Sequence, residues 1–254
     1  MSSEVETSRV GTLKAVPRDS STSLGMTIFA ALDVYHDHTP YSAAMNMAVD
    51  EALLERVTVP AIRFYRWQSP ALSFGYFGRF ADVASYQRER DLVRRWTGGG
   101  IVFHGEDLTY SLVIPIGHAA FTESSMSIYE RIHRALREAL SRIGMCTQLV
   151  GSELCADRTP QSGVPTYNCF ANPVRADVII GGRKIAGAAQ RRTRCGLLQQ
   201  GSIQGIDIEN GLADRFAQAL SINCGNRKLN DEIVKRAREL AQQKYGTEIW
   251  LGKR

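Results

Sequence analysis

Arg94-Arg95-Trp96-Thr97-Gly98-Gly99-Gly100-Ile101-Val102-Phe103-His104 is the stretch on which the reading of this chain turns. Two β-type runs, Leu92-Val93 and Ile101-Val102-Phe103, flank three consecutive glycines. Glycine tolerates positive φ and lets backbone approach a ligand closely, and a run of it inside a strand pattern marks such an approach. The paired arginines offer fork-shaped donors to an anionic group beside the loop. Without the flanking residues, the same glycines would read as ordinary turn punctuation of a hairpin.

Working outward, the pattern is of strands with a few helices. Met26 to Val34 is a β-type run, and Pro40 and Ser42 open a helix with Met45, Ala48, Val49, Ala52, Leu53 and Val57 on one stripe. Asp50 and Glu51 fall off that stripe and are expected to be solvated. Ala61 to Trp67 alternates as a strand, and Ala71 to Phe77 is a second one with Gly75 inside it. Ala81 to Asp91 reads as a short polar helix, followed by the glycine hairpin and by a strand from Leu108 to Pro115. Ser124 to Ile143 carries the widest apolar stripe, with Ser127 and Glu130 spaced as a capping box. Thr147 to Val150 reads as a short strand and Gly151 to Pro165 as a polar loop. Asp177 to Ile180 and Arg183 to Ala189 are strands joined by the tight turn Gly181-Gly182, and Gly196 to Ile203 is another. Helices are expected near Leu212 to Leu220 and Asn230 to Tyr245. The order gives an α+β fold with a mostly antiparallel or mixed sheet and helices on one face. Residues 1–25, rich in Ser, Thr and charge, are expected to be a disordered tail, and residues 26–254 a single domain.

The totals narrow the function. A chain of 254 residues with 44% hydrophobic and 22% charged content is globular rather than disordered. The net charge of +5 is mild and spread along the chain, which suits acidic proteins or anionic ligands and not nucleic acid. There is no apolar run of about 18 residues and no signal pattern at the N-terminus, so a cytoplasmic protein without membrane association is expected. The five cysteines, Cys146, Cys155, Cys169, Cys195 and Cys224, contain no C-x-x-C pair. They suggest free thiols rather than a zinc site or a disulfide framework. His36 and His38 alone are too few for a metal.

With these residues in place, a family resemblance can be stated. The stretch 94–104, then Asp107-Leu108-Thr109-Tyr110-Ser111, then Gly182-Arg183-Lys184-Ile185-Ala186-Gly187-Ala188-Ala189-Gln190, resembles the lipoate–protein ligase, octanoyltransferase and biotin–protein ligase superfamily. The early helix 46–54 and the strand Gln200-Gly201-Ser202-Ile203 match as well, so the likeness runs from about Met26 to Ser221. It implies the catalytic-domain fold of that superfamily and an acyl pocket lined by Arg95, Gly98, Gly99, Gly100, Ile101, Val102, Phe103, His104, Gly187 and Ala188. It also implies that Lys184 reaches the acyl carbonyl. Asn168-Cys169-Phe170 stands where the cysteine-dependent octanoyltransferase branch has its Cys-Phe step, which implies Cys169 as nucleophile. Gly100 is closer to the ATP-using ligase branch, which usually adds a C-terminal accessory domain; this chain stops soon after the core.

The implied activity is ping-pong transfer of an octanoyl or lipoyl group from octanoyl-acyl-carrier protein to a lipoyl-domain lysine. The acceptor would be the glycine-cleavage H protein or a 2-oxoacid dehydrogenase subunit, the enzyme a monomer, and no cofactor is expected. The rival readings are a lipoate–protein ligase catalytic domain using ATP and Mg, and a non-catalytic lipoyl-domain-binding or ligase-accessory protein. The chemistry of the pair stands apart from any family. A cysteine thiol is already a good nucleophile, and a nearby ammonium lowers its pKa. At ~4 Å and an effective dielectric of ~20 the attraction is about 4 kcal/mol before desolvation. Taken singly, Cys169 reads as a small buried residue, Lys184 as a solvated strand lysine, His104 as a structural histidine, and Arg94 and Arg95 as surface charge.

Overall fold

The alternating run Ala61–Trp67 lies inside an eight-stranded sheet in the computed structural model, which describes residues 27–151, 173–208 and 211–253. The expected tail 1–25, most of the loop 151–165 and the step 168–173 up to Asn172 lie outside the described residues. The first half contains β1 (Leu32–Tyr41), α1 (Ala43–Arg56), β2 (Ala61–Trp67), β3 (Ala71–Phe74), β4 (Asp91–Arg94), β5 (Ile101–His104) and β6 (Leu108–Pro115). The second contains α2 (Ser125–Arg142), β7 (Gln148–Leu149), β8 (Val178–Ile180), β9 (Arg183–Arg192), β10 (Gly196–Ile203), α3 (Leu212–Leu220), β11 (Cys224–Arg227), α4 (Asp231–Leu240) and α5 (Glu248–Leu251). The large sheet runs β11-β1-β2-β6-β10-β9-β8-β7, and a separate small sheet runs β4-β3-β5. The large sheet is mixed: β1 pairs in parallel with both β2 and β11, while its other pairs are antiparallel. A parallel β1–β2 pair needs a crossover, and α1 supplies it.

Helices cover both faces of the large sheet, not one. Ile62, Leu112 and Ile114 pack with Ile132 and Leu136 of α2 and Phe216 of α3. Tyr65, Val113 and Leu198 pack with Met47 and Leu53 of α1 and with Ile233 of α4. Strand alternation places these two sets on opposite faces. Because α1 is sandwiched between the sheet and α4, its off-stripe residues are covered too. Asp50 and Glu51, expected to be solvated, are buried, Asp50 completely. Asp50 pairs with Arg63 of β2, and Glu51 pairs with Lys244 and accepts from the Tyr245 hydroxyl.

Other expectations shift in detail. The glycine stretch is not a hairpin: β4 and β5 do not pair, because β3 lies between them, parallel to β4 and antiparallel to β5. The loop 95–100 therefore bridges across the end of β3. There Gly75 packs on it so closely that a Cβ would stand 2.0 Å from the Gly99 carbonyl oxygen. The polar stretch 81–91 forms two short 3-10 turns, Phe80–Asp82 and Ala84–Arg88, in place of an α-helix. Ser124, not Ser127, caps α2: its Oγ accepts from the Ser127 N–H at 3.1 Å. Strand β1 starts at Leu32, later than the run from Met26. The Gly181-Gly182 turn has φ of 55° and 80°, as its sequence requires. No helix among the described residues is long and apolar enough to cross a membrane.

One buried histidine sets a pH limit on this fold. His133 of α2 is completely buried. Its Nδ1–H donates to the Ala176 carbonyl at 2.7 Å, and its Nε2 accepts from the Tyr110 hydroxyl at 3.1 Å. Burial lowers its pKa to about 4, and burial lowers His104 and His118 as well. A histidine held neutral in the folded state binds fewer protons than the unfolded chain near pH 5. Stability is therefore complete above the unfolded value of about 6.5 and falls as pH drops below it. Chemical denaturation across this range should show a loss of roughly 3 kcal/mol by pH 4 from His133 alone. A flat profile between pH 7 and pH 4.5 would contradict this reading.

Candidate functional site

Lys184 owes its position to the Gly181-Gly182 turn and to an irregularity in the β8–β9 pairing beside it. Its side chain bends back across Gly187, where a Cβ would meet its Cε at 2.3 Å and its Nζ at 2.5 Å. Glycine at 187 is thus what lets the amine lie along its own strand. The side chain is only 6% exposed, and Nζ sits 2.8 Å from Oδ2 of the completely buried Asp177. Asp177 is fixed in turn. Its Oδ1 accepts from the Tyr129 hydroxyl at 2.5 Å, and its Oδ2 accepts from the Val174 N–H at 2.7 Å. The Tyr129 oxygen accepts from the Ala188 N–H at 3.0 Å, which closes the ring of contacts onto β9. Burial first, then the Asp177 carboxylate, raises the Tyr129 pKa, so this phenol remains a donor at any working pH.

Lys184 opens onto a cleft of about 480 Å³ of empty space, its mouth included. Of the residues expected to bind substrate, Arg95, Gly99, Val102, His104, Gly187 and Ala188 line it. Gly98, Gly100, Ile101 and Phe103 do not. Ile101 and Gly100 face a neighbouring surface groove, and the Phe103 ring stacks edge-on to Tyr86 in the small sheet. Alternation along β5 explains this: Val102 and His104 share one face, Ile101 and Phe103 the other. The expected nucleophile, Cys169, lies outside the described residues.

The paired arginines serve the loop and not an open anion site. Arg94 is completely buried and donates to the carbonyls of Tyr76, Gly78, Trp250 and Leu251. It ties the C-terminal helix α5 to the loop, and the Trp250 indole donates back to the Arg94 carbonyl at 2.9 Å. Arg95 donates to Ser73 Oγ and to the carbonyls of Gly98 and Gly100, holding the glycine arc closed around its own guanidinium.

The cleft is backed by a chain of polar groups, of which the sequence names only His104 as a binding residue; Asp107, Thr109 and Ser202 stand in the quoted motifs without an expected role, and Ser73 lies outside them. Ser73 Oγ is 2.6 Å from His104 Nε2, and His104 Nδ1 is 2.8 Å from Asp107 Oδ2. Thr109 and Ser202 hydroxyls also donate to that carboxylate oxygen, each at 2.7 Å. Burial pulls His104 down, and the Asp107 carboxylate does not fully offset it. Burial pushes Asp107 up, but the His104 ring and the two hydroxyls outweigh it and hold the carboxyl below its usual value. The consistent assignment is a neutral ring carrying its proton on Nδ1 and accepting from Ser73 on Nε2. Trp67 stacks on that ring with centroids 4.1 Å apart, so the polar chain presents a flat, largely apolar surface to the cleft. Gln200, with its amide on Asp50 at 2.7 Å, and Met47 complete the lining. No group of three His, Cys, Asp or Glu among the described residues is placed to hold a metal ion. A single ammonium in a narrow, mainly apolar cleft is suited to drawing in a carbonyl at the head of an aliphatic chain and stabilising charge that develops on its oxygen.

The sequence model of the lipoyl protein ligase A/B catalytic domain matches residues 42–242. Octanoyltransferase LipM of Oceanobacillus iheyensis is 38% identical over 175 residues, covering 66% of this chain and 62% of that protein. Octanoyltransferase LipM of Brevibacillus brevis is 27% identical over 260 residues, covering 82% of this chain and 94% of that protein. The chain thus spans somewhat less than two-thirds of the length of the Oceanobacillus relative. Among solved structures, lipoate-protein ligase A bound with ATP shares the fold with a TM-score of 0.66 at 20% identity, over 88% of this chain and 98% of that one.

Proposed function

The chain belongs to the family of lipoyl protein ligase A/B catalytic domains, and from that premise we propose that it is an octanoyltransferase. It moves an octanoyl group from octanoyl-acyl-carrier protein to the lysine of a lipoyl domain, through a thioester on Cys169. The observation that carries this reading is the Lys184 ammonium, bent over Gly187 and fixed on Asp177 at the head of a narrow, mainly apolar cleft. The similarity to octanoyltransferases selects the acyl group.

In the first step the Cys169 sulfur attacks the carbonyl carbon of the donor. A new C–S bond forms, the old one breaks, and the carrier thiol leaves with the proton that Cys169 gave up. In the second step the unprotonated acceptor amine attacks the same carbon, an amide forms, and the Cys169 thiol is regenerated. Lys184 stabilises the oxyanion in both steps. Each step exchanges one acyl bond for another of equal or lower energy, so neither calls for ATP. In the sequence Cys169 stands five residues before Val174, whose N–H rests on the carboxylate that holds Lys184.

Intact-mass spectrometry after mixing with octanoyl-acyl-carrier protein tests the scheme. Wild type should gain one octanoyl group that hydroxylamine removes, and Cys169→Ala should gain none. An unmodified wild type that instead releases pyrophosphate from lipoate and ATP would replace this reading by the adenylating ligase.

A further inference from the structure

The acyl cleft has a neighbour on the outer side of the glycine loop. Gly99 lines both the cleft and a surface groove formed by Phe74, Gly75, Phe77, Arg79 and Ile101. Phe77 stands on the rim of that groove 84% exposed, the largest exposed aromatic side chain among the described residues. Its ring meets Tyr76 edge-on at 5.1 Å. Around Tyr76 three cations converge. Lys253 is 5.2 Å from the ring centre, the Arg191 guanidinium lies over the ring at 4.6 Å, and Lys244, over the Trp96 ring at 4.0 Å, adds its positive charge to the field at the same hydroxyl. Lys244 has Glu51 as its carboxylate partner. Among the described residues Arg191 donates to the Trp96 carbonyl at 3.3 Å, and its buried Nε has no hydrogen-bond partner there. The Lys253 ammonium beside the Tyr76 hydroxyl holds that phenol below its usual pKa.

This edge is joined to the site by the backbone. Arg191 shares a face of β9 with Gly187 and Ala189, both of which line the cleft. The Tyr76 N–H donates to the Thr97 carbonyl of the glycine loop at 2.9 Å. An exposed aromatic beside cations that have no carboxylate partner among the described residues marks a surface suited to a partner of opposite charge.

We propose that the Phe77 and Tyr76 edge, with Arg191 and Lys253, docks an acidic protein domain that presents the acceptor lysine. The proposal rests on the acyl-transfer reading above. A lysine side chain is a short four-carbon stem. To reach a carbonyl held at Lys184, its parent domain must lie against the rim of the cleft, and this is a rim of matching chemistry. A donor carried on a long flexible arm has no such need.

The test is calorimetric binding of an unmodified, acidic lipoyl domain to the full chain. Two independent variants, Phe77→Ser and the pair Arg191→Gln with Lys253→Gln, guard against misfolding and are checked by thermal melting. Each should weaken binding about tenfold or more. Raised salt should weaken binding to wild type but barely change binding to the charge variant. Acylation of the enzyme by a small octanoyl thioester should be unaltered in both. Binding by wild type that neither variant changes, or no binding at all, overturns the docking surface. Binding that responds as expected, while no octanoyl group is transferred, overturns the acyl-transfer reading and leaves the surface standing.

Discussion

Replacing Lys184 by methionine is expected to lower acyl transfer from a small octanoyl thioester by about 10²–10³-fold, the usual cost of removing one preorganised oxyanion donor. The loss should fall on kcat and leave KM nearly unchanged, because the ammonium acts on charge that exists only in the transition state. Methionine keeps the length and the apolar stem, so the cleft stays filled. Arginine should restore little. The lysine runs through the space left by the missing Cβ of Gly187, with Asp177 only 2.8 Å beyond Nζ, and a planar guanidinium is too wide for that passage. Methionine also leaves the buried Asp177 without its cation, so a thermal melt must accompany the kinetics. A folded variant whose kcat stays within threefold of wild type would remove Lys184 from the chemistry.

How this lysine became visible in the sequence, while its partner did not, shows where reading by pattern stops. Lys184 stands in a spaced motif with Gly187 and Ala188, and the turn Gly181-Gly182 marks the hairpin that carries it. Strand β10 and helix α3 have the bounds that their periodicity gives. Asp177, Tyr129 and Ser73 carry no local signal. Each acts through a residue distant in sequence, Tyr129 and Asp177 being 48 positions apart, and each looks like ordinary strand or helix polarity. The glycine stretch reads as a hairpin, and the structure corrects that to a loop across the end of β3. Nothing in its sequence reveals that β3 inserts between its flanking strands. The paired arginines read as anion donors in the sequence. Only the fold supplies the backbone carbonyls that occupy them.

The same blindness applies to the centre of the sheet. There the periodicity of α1 places Asp50 in water, and the alternation of β2 gives no hint of what Arg63 meets. Arg63 is completely buried. Its guanidinium donates to Asp37 at 2.7 Å, to Asp50 at 2.9 Å, and to the side chain and carbonyl of Asn46 at 2.8 and 3.2 Å. Burial works against the charge, and the carboxylate of Asp50, then that of Asp37, outweighs it. Asp50 also accepts from the hydroxyls of Tyr65 and Ser111 and from the Gln200 amide. Replacing Arg63 by methionine fills the volume but strands Asp50 as a buried unpaired charge. We expect a cost of about 3–5 kcal/mol, seen as a drop in Tm of roughly 10 °C or more. Adding Asp50→Asn should recover part of it, since the cost lies in the orphaned charge and not in the lost attraction. The chain from Asp50 through Gln200 to the Thr97 hydroxyl, 2.8 Å from the Gln200 carbonyl oxygen, then links this pair to the glycine loop. Asp50→Asn alone should therefore raise KM for the acyl donor at temperatures well below the melt. A variant pair with unchanged Tm would show that the ion pair is only tolerated by the core, and that hydrophobic packing on the two faces of the sheet suffices to hold the cleft in shape.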